Sequence, residues 1–167
     1  MELRFKNEDF DADGAAAMAR AVAYEGYTFK DFAGLTDEEM EAAYALAFNL
    51  ASQGQLVEAE QMFAWLCGLD QYQPKYFLGL GVCRQQLKNT GKALEAFAMA
   101  GLLDASDPVP AVRAAECQLA LGRLDEARDA LDAARHWAGD RPEHQAVRAR
   151  AAELDAYLEP RRKGDRA

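Results

Sequence analysis

The side chains best suited to chemistry are few and poorly placed for it. Cys67, Cys83 and Cys117 are the only thiols, and His136 and His144 the only imidazoles. A zinc site draws on closely paired cysteines and histidines, and three cysteines this far apart fit no such pattern. Neither histidine stands at a spacing from a cysteine or carboxylate that suggests a nucleophile and its base. A lone histidine near a helix end serves structure more often than catalysis. No glycine-rich phosphate loop or nucleophile elbow occurs. These residues point to no catalytic site, no metal and no cofactor, so the expected role is binding. Free thiols, as these are expected to be, suit a reducing compartment.

Cys83 and Cys117 are instead two marks of a period. They lie 34 residues apart, and the same step separates Ala59, Ala93 and Ala127; Phe63, Phe97 and Leu131; and Pro74, Pro108 and Pro142. A small residue followed four positions later by a large apolar one, repeated at this interval, is the signature of tetratricopeptide repeats. The alanine lets two antiparallel helices approach, and the proline can begin the next helix but not continue the last. The expected fold is all-α, a solenoid of three repeats over 36–141, at about 40–73, 74–107 and 108–141. Residues 1–35 form an N-terminal helical segment for capping or dimerisation. Residues 142–158 form a C-terminal capping helix, and 159–167 a solvated tail.

Composition agrees. Half of the 167 residues are hydrophobic, enough for one domain with a real core, and abundant alanine with few β-branched residues favours helix. No apolar run approaches a membrane span, and MELRFKNEDFDADG is too acidic and polar for a signal peptide, so the expected location is cytoplasmic. The net charge of −9 falls entirely within residues 1–60. An acidic N-terminal third argues against nucleic acid, whose phosphates need a basic face.

Along the chain, residues 1–10 read as disordered. Asp11 or Asp13 can cap a first helix to about Ala23, with Ala15, Ala16, Met18, Ala19, Val22 and Ala23 as its apolar set. A short helical turn follows over Thr28 to Leu35. Thr36 and Glu39 make a capping box for a helix to about Ser52. Later helices are expected over 56–69, 74–87, 90–103, 108–121, 124–138 and 143–158, the last stopped by Pro160. Gly54 and Gly122 occupy equivalent turns that need a positive φ. Lys88 holds that place in the second repeat, with Gly91 three residues on, so that loop is expected to turn differently.

Stacked helical pairs present their first helices on a concave surface. The inward positions hold Tyr44, Phe48 and Ala51 in the first repeat, Lys75, Leu78, Val82, Gln85 and Gln86 in the second, and Val112, Glu116 and Leu119 in the third. This lining is mainly apolar, which suggests a surface for a peptide guest. The alternative is that the N-terminal segment folds back and fills it. A carboxylate clamp is not expected, since only Lys75 and Asn49 could serve one.

Three stretches are more specific than a generic repeat: LTDEEMEAAYALAFN (35–49), FAWLCGLDQYQPKYFLGLGVCRQ (63–85) and AAECQLALGRLDEA (114–127). They resemble the class II chaperones of bacterial type III secretion systems, which guard hydrophobic translocator proteins. The likeness runs from Gly26 to about Ala138. It implies three repeats, a homodimer formed by the N-terminal segment when unliganded, and a groove holding an extended segment from near a translocator's N-terminus. By position, Tyr44 and Phe48 match pocket-forming aromatics, with Leu78 and Val82 on the adjoining wall. Dimer contacts would fall on Met18, Val22, Phe29, Phe32 and Leu35. The pattern departs at Pro108–Val112, where the family carries bulky aromatics; the smaller side chains here imply a wider third-repeat pocket or none. A tetratricopeptide scaffold that joins folded partners is the alternative reading.

Overall fold

The computed structural model describes residues 12–164, and all regular structure among them is helical. The chain divides into two compact units, Met1–Gln73 and Pro74–Ala167, where its length suggests one domain. The division falls between the first and second 34-residue segments.

The first unit holds α1 (Ala12–Tyr24), α2 (Phe29–Ala33), α3 (Asp37–Ser52) and α4 (Leu56–Leu69). The expected capping box opens α3: the Glu39 amide donates to the Thr36 hydroxyl at 3.2 Å, and the Thr36 amide donates to the Glu39 carboxylate at 2.8 Å. A second box opens α2, where the Thr28 amide and hydroxyl donate to Asp31 at 2.7 and 2.8 Å. Each satisfies N–H groups that a helix start leaves without a partner. Helices α3 and α4 pair around Met40, Ala47, Ala59, Phe63 and Leu66, all essentially buried. Lys30 pairs with Asp37 and stands 3.8 Å from Asp70, joining α2 to the start of α3 and the end of α4.

The first helix departs from expectation. Of its expected apolar set, Met18 and Val22 are half-buried and the four alanines are exposed, while Ala21 is the buried residue. Alanine all round a helix gives hydrophobic periodicity too little contrast to select a face. Asp13 lies inside α1 rather than at its cap; Asp11 and residues 1–10 fall outside the described residues.

The second unit holds α5 (Pro74–Gln86), α6 (Thr90–Leu103), α7 (Val109–Ala120), α8 (Leu124–Ala138), a 3-10 turn (Pro142–His144) and α9 (Gln145–Gly164). Gly81 of α5 faces the ring of Phe97 on α6; a Cβ there would lie 2.5 Å from Phe97 Cε1. Ala47 and Ala115 occupy the equivalent places one period either side, both wholly buried. Val112, Ala115, Leu131, Ala134, Leu154 and Leu158 join α7, α8 and α9 in one core.

Two expectations are corrected. The loop at Lys88 does not turn differently. Lys88 takes φ +63°, as Gly54 (+80°) and Gly122 (+74°) do. The hydrogen bonds correspond as well: Lys88 N to Gln85 O and Asn89 N to Arg84 O, matching Gly54 to Ala51 and Gln55 to Leu50. The repeat's closing hydrogen bonds hold this residue in a left-handed conformation that costs a non-glycine side chain about 1–2 kcal/mol. Nor does Pro160 stop the last helix, which continues to Gly164. A proline near an exposed helix end removes one N–H, and water can satisfy the carbonyl it frees.

Gly81→Ala is expected to lower the unfolding free energy by about 1–3 kcal/mol, since the added methyl must displace the Phe97 ring. Lys88→Gly is expected to raise it by about 0.5–1 kcal/mol, the relieved strain exceeding the entropy glycine adds to the unfolded chain. Urea denaturation of both variants checks the two signs.

Candidate functional site

In the first unit the expected lining residues all sit on α3. Phe48 is 58% exposed, while Tyr44 and Ala51 are half-buried. The Tyr44 ring meets Phe63 edge-on, with centroids 6.0 Å apart. Tyr44 is therefore partly committed to the α3–α4 core, and Phe48 presents its ring to solvent.

In the second unit, Lys75, Leu78, Val82 and Gln85 lie on α5, and Val112, Glu116 and Leu119 on α7. Leu78 and Val82 are half-buried against Ala93, Phe97 and Cys117, and Leu119 packs on the third-repeat core. Val112 is 5% exposed and belongs to that core. Much of the apolar character read as lining thus has a packing role. Lys75 lies 5.6 Å from the ring of Tyr76.

Val82, Gln85, Glu116 and Leu119 come together in the lining of a cleft of about 630 Å³, to which α9 adds Arg150, Leu154 and Tyr157. Within this lining Glu116 accepts hydrogen bonds from three side chains. Gln85 Nε2 donates at 3.1 Å, Arg113 Nη1 at 3.1 Å and Arg150 Nε at 2.8 Å, while Arg150 Nη1 also reaches Glu153 at 3.0 Å. The Glu116 side chain is only 13% exposed. Burial pushes its pKa up, but the hydrogen bonds from Arg150 and Gln85 and the charge of Arg113 outweigh it and hold the carboxyl below its usual range.

The lining here is therefore more polar than expected. Arg113 and Arg150 are not among the expected lining residues, because neither falls at an inward position of the three first helices; Arg150 reads from the sequence only as part of the polar face of the last helix. One signal was available: Val82, Glu116 and Arg150 continue the 34-residue step into the last helix.

The candidate dimer residues lie on or beside α1 and α2. Phe29 is 47% exposed; Met18, Val22, Phe32 and Leu35 are half-buried; Phe32 stacks on Tyr27 with centroids 5.8 Å apart. All three cysteines are buried. Burial, with the charge of Glu116 beside it, pushes the Cys117 thiol up to about 11, so it stays protonated and unreactive. Among the described residues no cluster of His, Cys, Asp and Glu could hold a metal ion, and no helix is long and apolar enough to cross a membrane.

A tetratricopeptide-repeat family model matches residues 84–151. The chaperone protein SicA of Salmonella typhimurium is 35% identical over 144 residues, 86% of this chain and 83% of SicA. The structure of PcrH, a Pseudomonas aeruginosa protein, in complex with the chaperone-binding region of PopD superposes with a TM-score of 0.75 at 40% identity, covering 77% of this chain and 97% of PcrH. The Yersinia enterocolitica type III secretion chaperone SycD, in complex with a peptide of the translocator YopD, gives 0.74 at 31% identity, covering 76% of this chain and 97% of SycD. SycD has also been crystallised as an alternative dimer.

Because the pKa of Glu116 is depressed in the folded chain, the stability it contributes is full above the ordinary value of 4.5 and is lost as pH falls through the folded value. Glu116→Gln is expected to cost about 1–2 kcal/mol at neutral pH, with the difference from the parent shrinking in acid. Urea denaturation at pH 7 and in acid checks this; a difference independent of pH would contradict it.

Proposed function

Since the chain belongs to the tetratricopeptide-repeat chaperones of type III secretion translocators, we propose that it holds an extended N-terminal segment of a hydrophobic translocator along its first helices. It does so in the cytoplasm, keeping the translocator dissolved until export. The observation that carries this reading is the likeness to PcrH and SycD, each seen with a segment of another protein: the chaperone-binding region of PopD and a peptide of the translocator YopD.

The mechanism is binding without bond chemistry, and it calls for no cofactor. A translocator has membrane-seeking segments that aggregate in water, because exposed apolar surface drives association. Holding one extended stretch by a few side chains keeps the remainder accounted for. An anchor seated in a good pocket contributes about 2 kcal/mol or more, so two or three suffice for a stable complex. Phe48 supports the reading most directly, as a large ring on α3 that its own unit leaves 58% exposed. Tyr44 and Ala51 flank it on α3; in the second unit the proposed contact residues are Lys75, Leu78, Val82, Gln85, Glu116 and Leu119 on α5 and α7, with Val112 behind them in the core.

Without a guest, the chain forms a homodimer through Met18, Val22, Phe29, Phe32 and Leu35. The exposed Phe29 and Tyr24, the latter 86% exposed, support this, as does the dimer known for SycD.

Phe48→Asp is expected to abolish capture of a co-expressed translocator while leaving the helical circular dichroism unchanged, because the ring packs little in its own unit. Undiminished capture would remove α3 from the binding surface. Tyr44→Ala is a poorer probe: losing the edge-on contact with Phe63 weakens the fold as well as the surface.

A further inference from the structure

The cleft between α5, α7 and α9 carries a charge opposite to that of the chain. Lys88, Arg113 and Arg150 face it, and Glu116 is the one carboxylate among its described lining residues. Even when Glu153, which pairs with Arg150 from outside, is included, cations outnumber carboxylates. This basic pocket sits in a protein of net charge −9. Beside the charges lie Val82, Leu119, Leu154 and Tyr157, so the surface is cationic and apolar at once.

Glu116 does not cancel the site; it organises it. Its carboxylate is largely buried and already accepts Gln85, Arg113 and Arg150. Three of its roughly four acceptor sites are taken and two guanidinium groups share its charge, so it is a poor partner for a basic guest. Each guanidinium gives it a single hydrogen bond, and a guanidinium has five N–H donors, so donors remain for a second carboxylate. Two guanidinium groups held in place by a common anion lose less side-chain entropy when they bind another one.

We propose that α9 is part of the binding surface rather than only a cap, and that this cleft receives an acidic side chain, flanked by apolar ones, from the guest segment. The inference rests on the peptide-binding reading above and adds the chemistry that one of its stations selects. A guest with an aspartate or glutamate at this point gains charge-assisted hydrogen bonds. One with a lysine meets an excess of like charge beside a carboxylate already paired with two guanidinium groups. The cleft thus rejects as well as attracts, and specificity depends on both.

The test is a charge scan. The chaperone-binding region of PopD, as a fluorescent peptide, is titrated against the full chain with Asp and then Lys placed at each position in turn. At one short run of positions the Asp peptide should bind at least about tenfold more tightly than the Lys peptide, and the ratio should shrink in high salt. The ratio should fall towards one in the Arg113→Gln/Arg150→Gln variant. Because that variant also unpairs Glu116, Lys88→Asn serves as a second test. Asparagine tolerates the left-handed backbone there, Glu116 keeps its partners, and the ratio should still drop. Equal binding of Asp and Lys peptides at every position overturns the proposal and leaves the peptide-binding reading standing. So does a ratio that survives in both variants. If the unmodified peptide fails to bind at all, the peptide-binding reading falls and this inference falls with it.

Discussion

The close approach of paired helices at small residues is the constraint on which the remaining structure depends. Ala59, Ala93 and Ala127 are completely buried, and Phe63, Phe97 and Leu131, one helical turn later, are at most 2% exposed. Opposite them stand Ala47, Gly81 and Ala115. Where the large residue is Phe97, the facing position cannot hold even a Cβ without the ring moving. Interiors packed to this density admit few changes of volume. Each pair is therefore pinned in one arrangement, and that arrangement decides which face of each first helix remains outside the core.

That face is mixed in character. On α3 it presents Phe48 to solvent. On α5 and α7 the apolar residues at the inward positions are drawn partly into the core, and between them lies a hydrogen-bonded cluster centred on Glu116. A buried carboxylate is tolerable only with its lone pairs satisfied, and Arg150 of the last helix supplies one of the three donors. The final helix is thus bound to the rest of the second unit by Ala151, Leu154 and Leu158 in the core and by ion pairs of Arg150 with Glu116 and of Asp155 with Arg135. A chaperone needs this combination of a rigid frame with a surface that the frame does not itself consume, because a wall fully spent on internal packing has no free energy left for a guest.

The sequence was most legible where one signal repeats. The helices at 56–69, 90–103 and 124–138 have the bounds that the 34-residue step implies, and Thr36 with Glu39 marks the start of α3 unambiguously. It was least legible where local preference yields to packing. Lys88 is a poor residue for φ +63° and adopts it because the helices on either side demand the same turn as in the neighbouring repeats. Pro160 continues a helix it usually ends, and the alanines of α1 gave no indication of which side turns inward. At the site, the periodic positions of the first helices identified Glu116 but not its partners. Arg113 stands three residues earlier on the same helix, where no repeat landmark marks it, and Arg150 comes from a helix outside the repeats, where only the 34-residue step from Glu116 points to it. The likeness to translocator chaperones lay in stretches such as YALAFN and YFLGLGVCRQ, and it was more informative about function than any single charged or aromatic residue.

The claim that a guest lies along the first helices is tested most directly by hydrogen exchange of the full chain, free and saturated with a translocator N-terminal segment. Slowed exchange on α3, α5, α7 and the facing side of α9, with α4, α6 and α8 little changed, is the predicted result. Protection confined to α4, α6 and α8 would place the guest on the other helices and contradict the account.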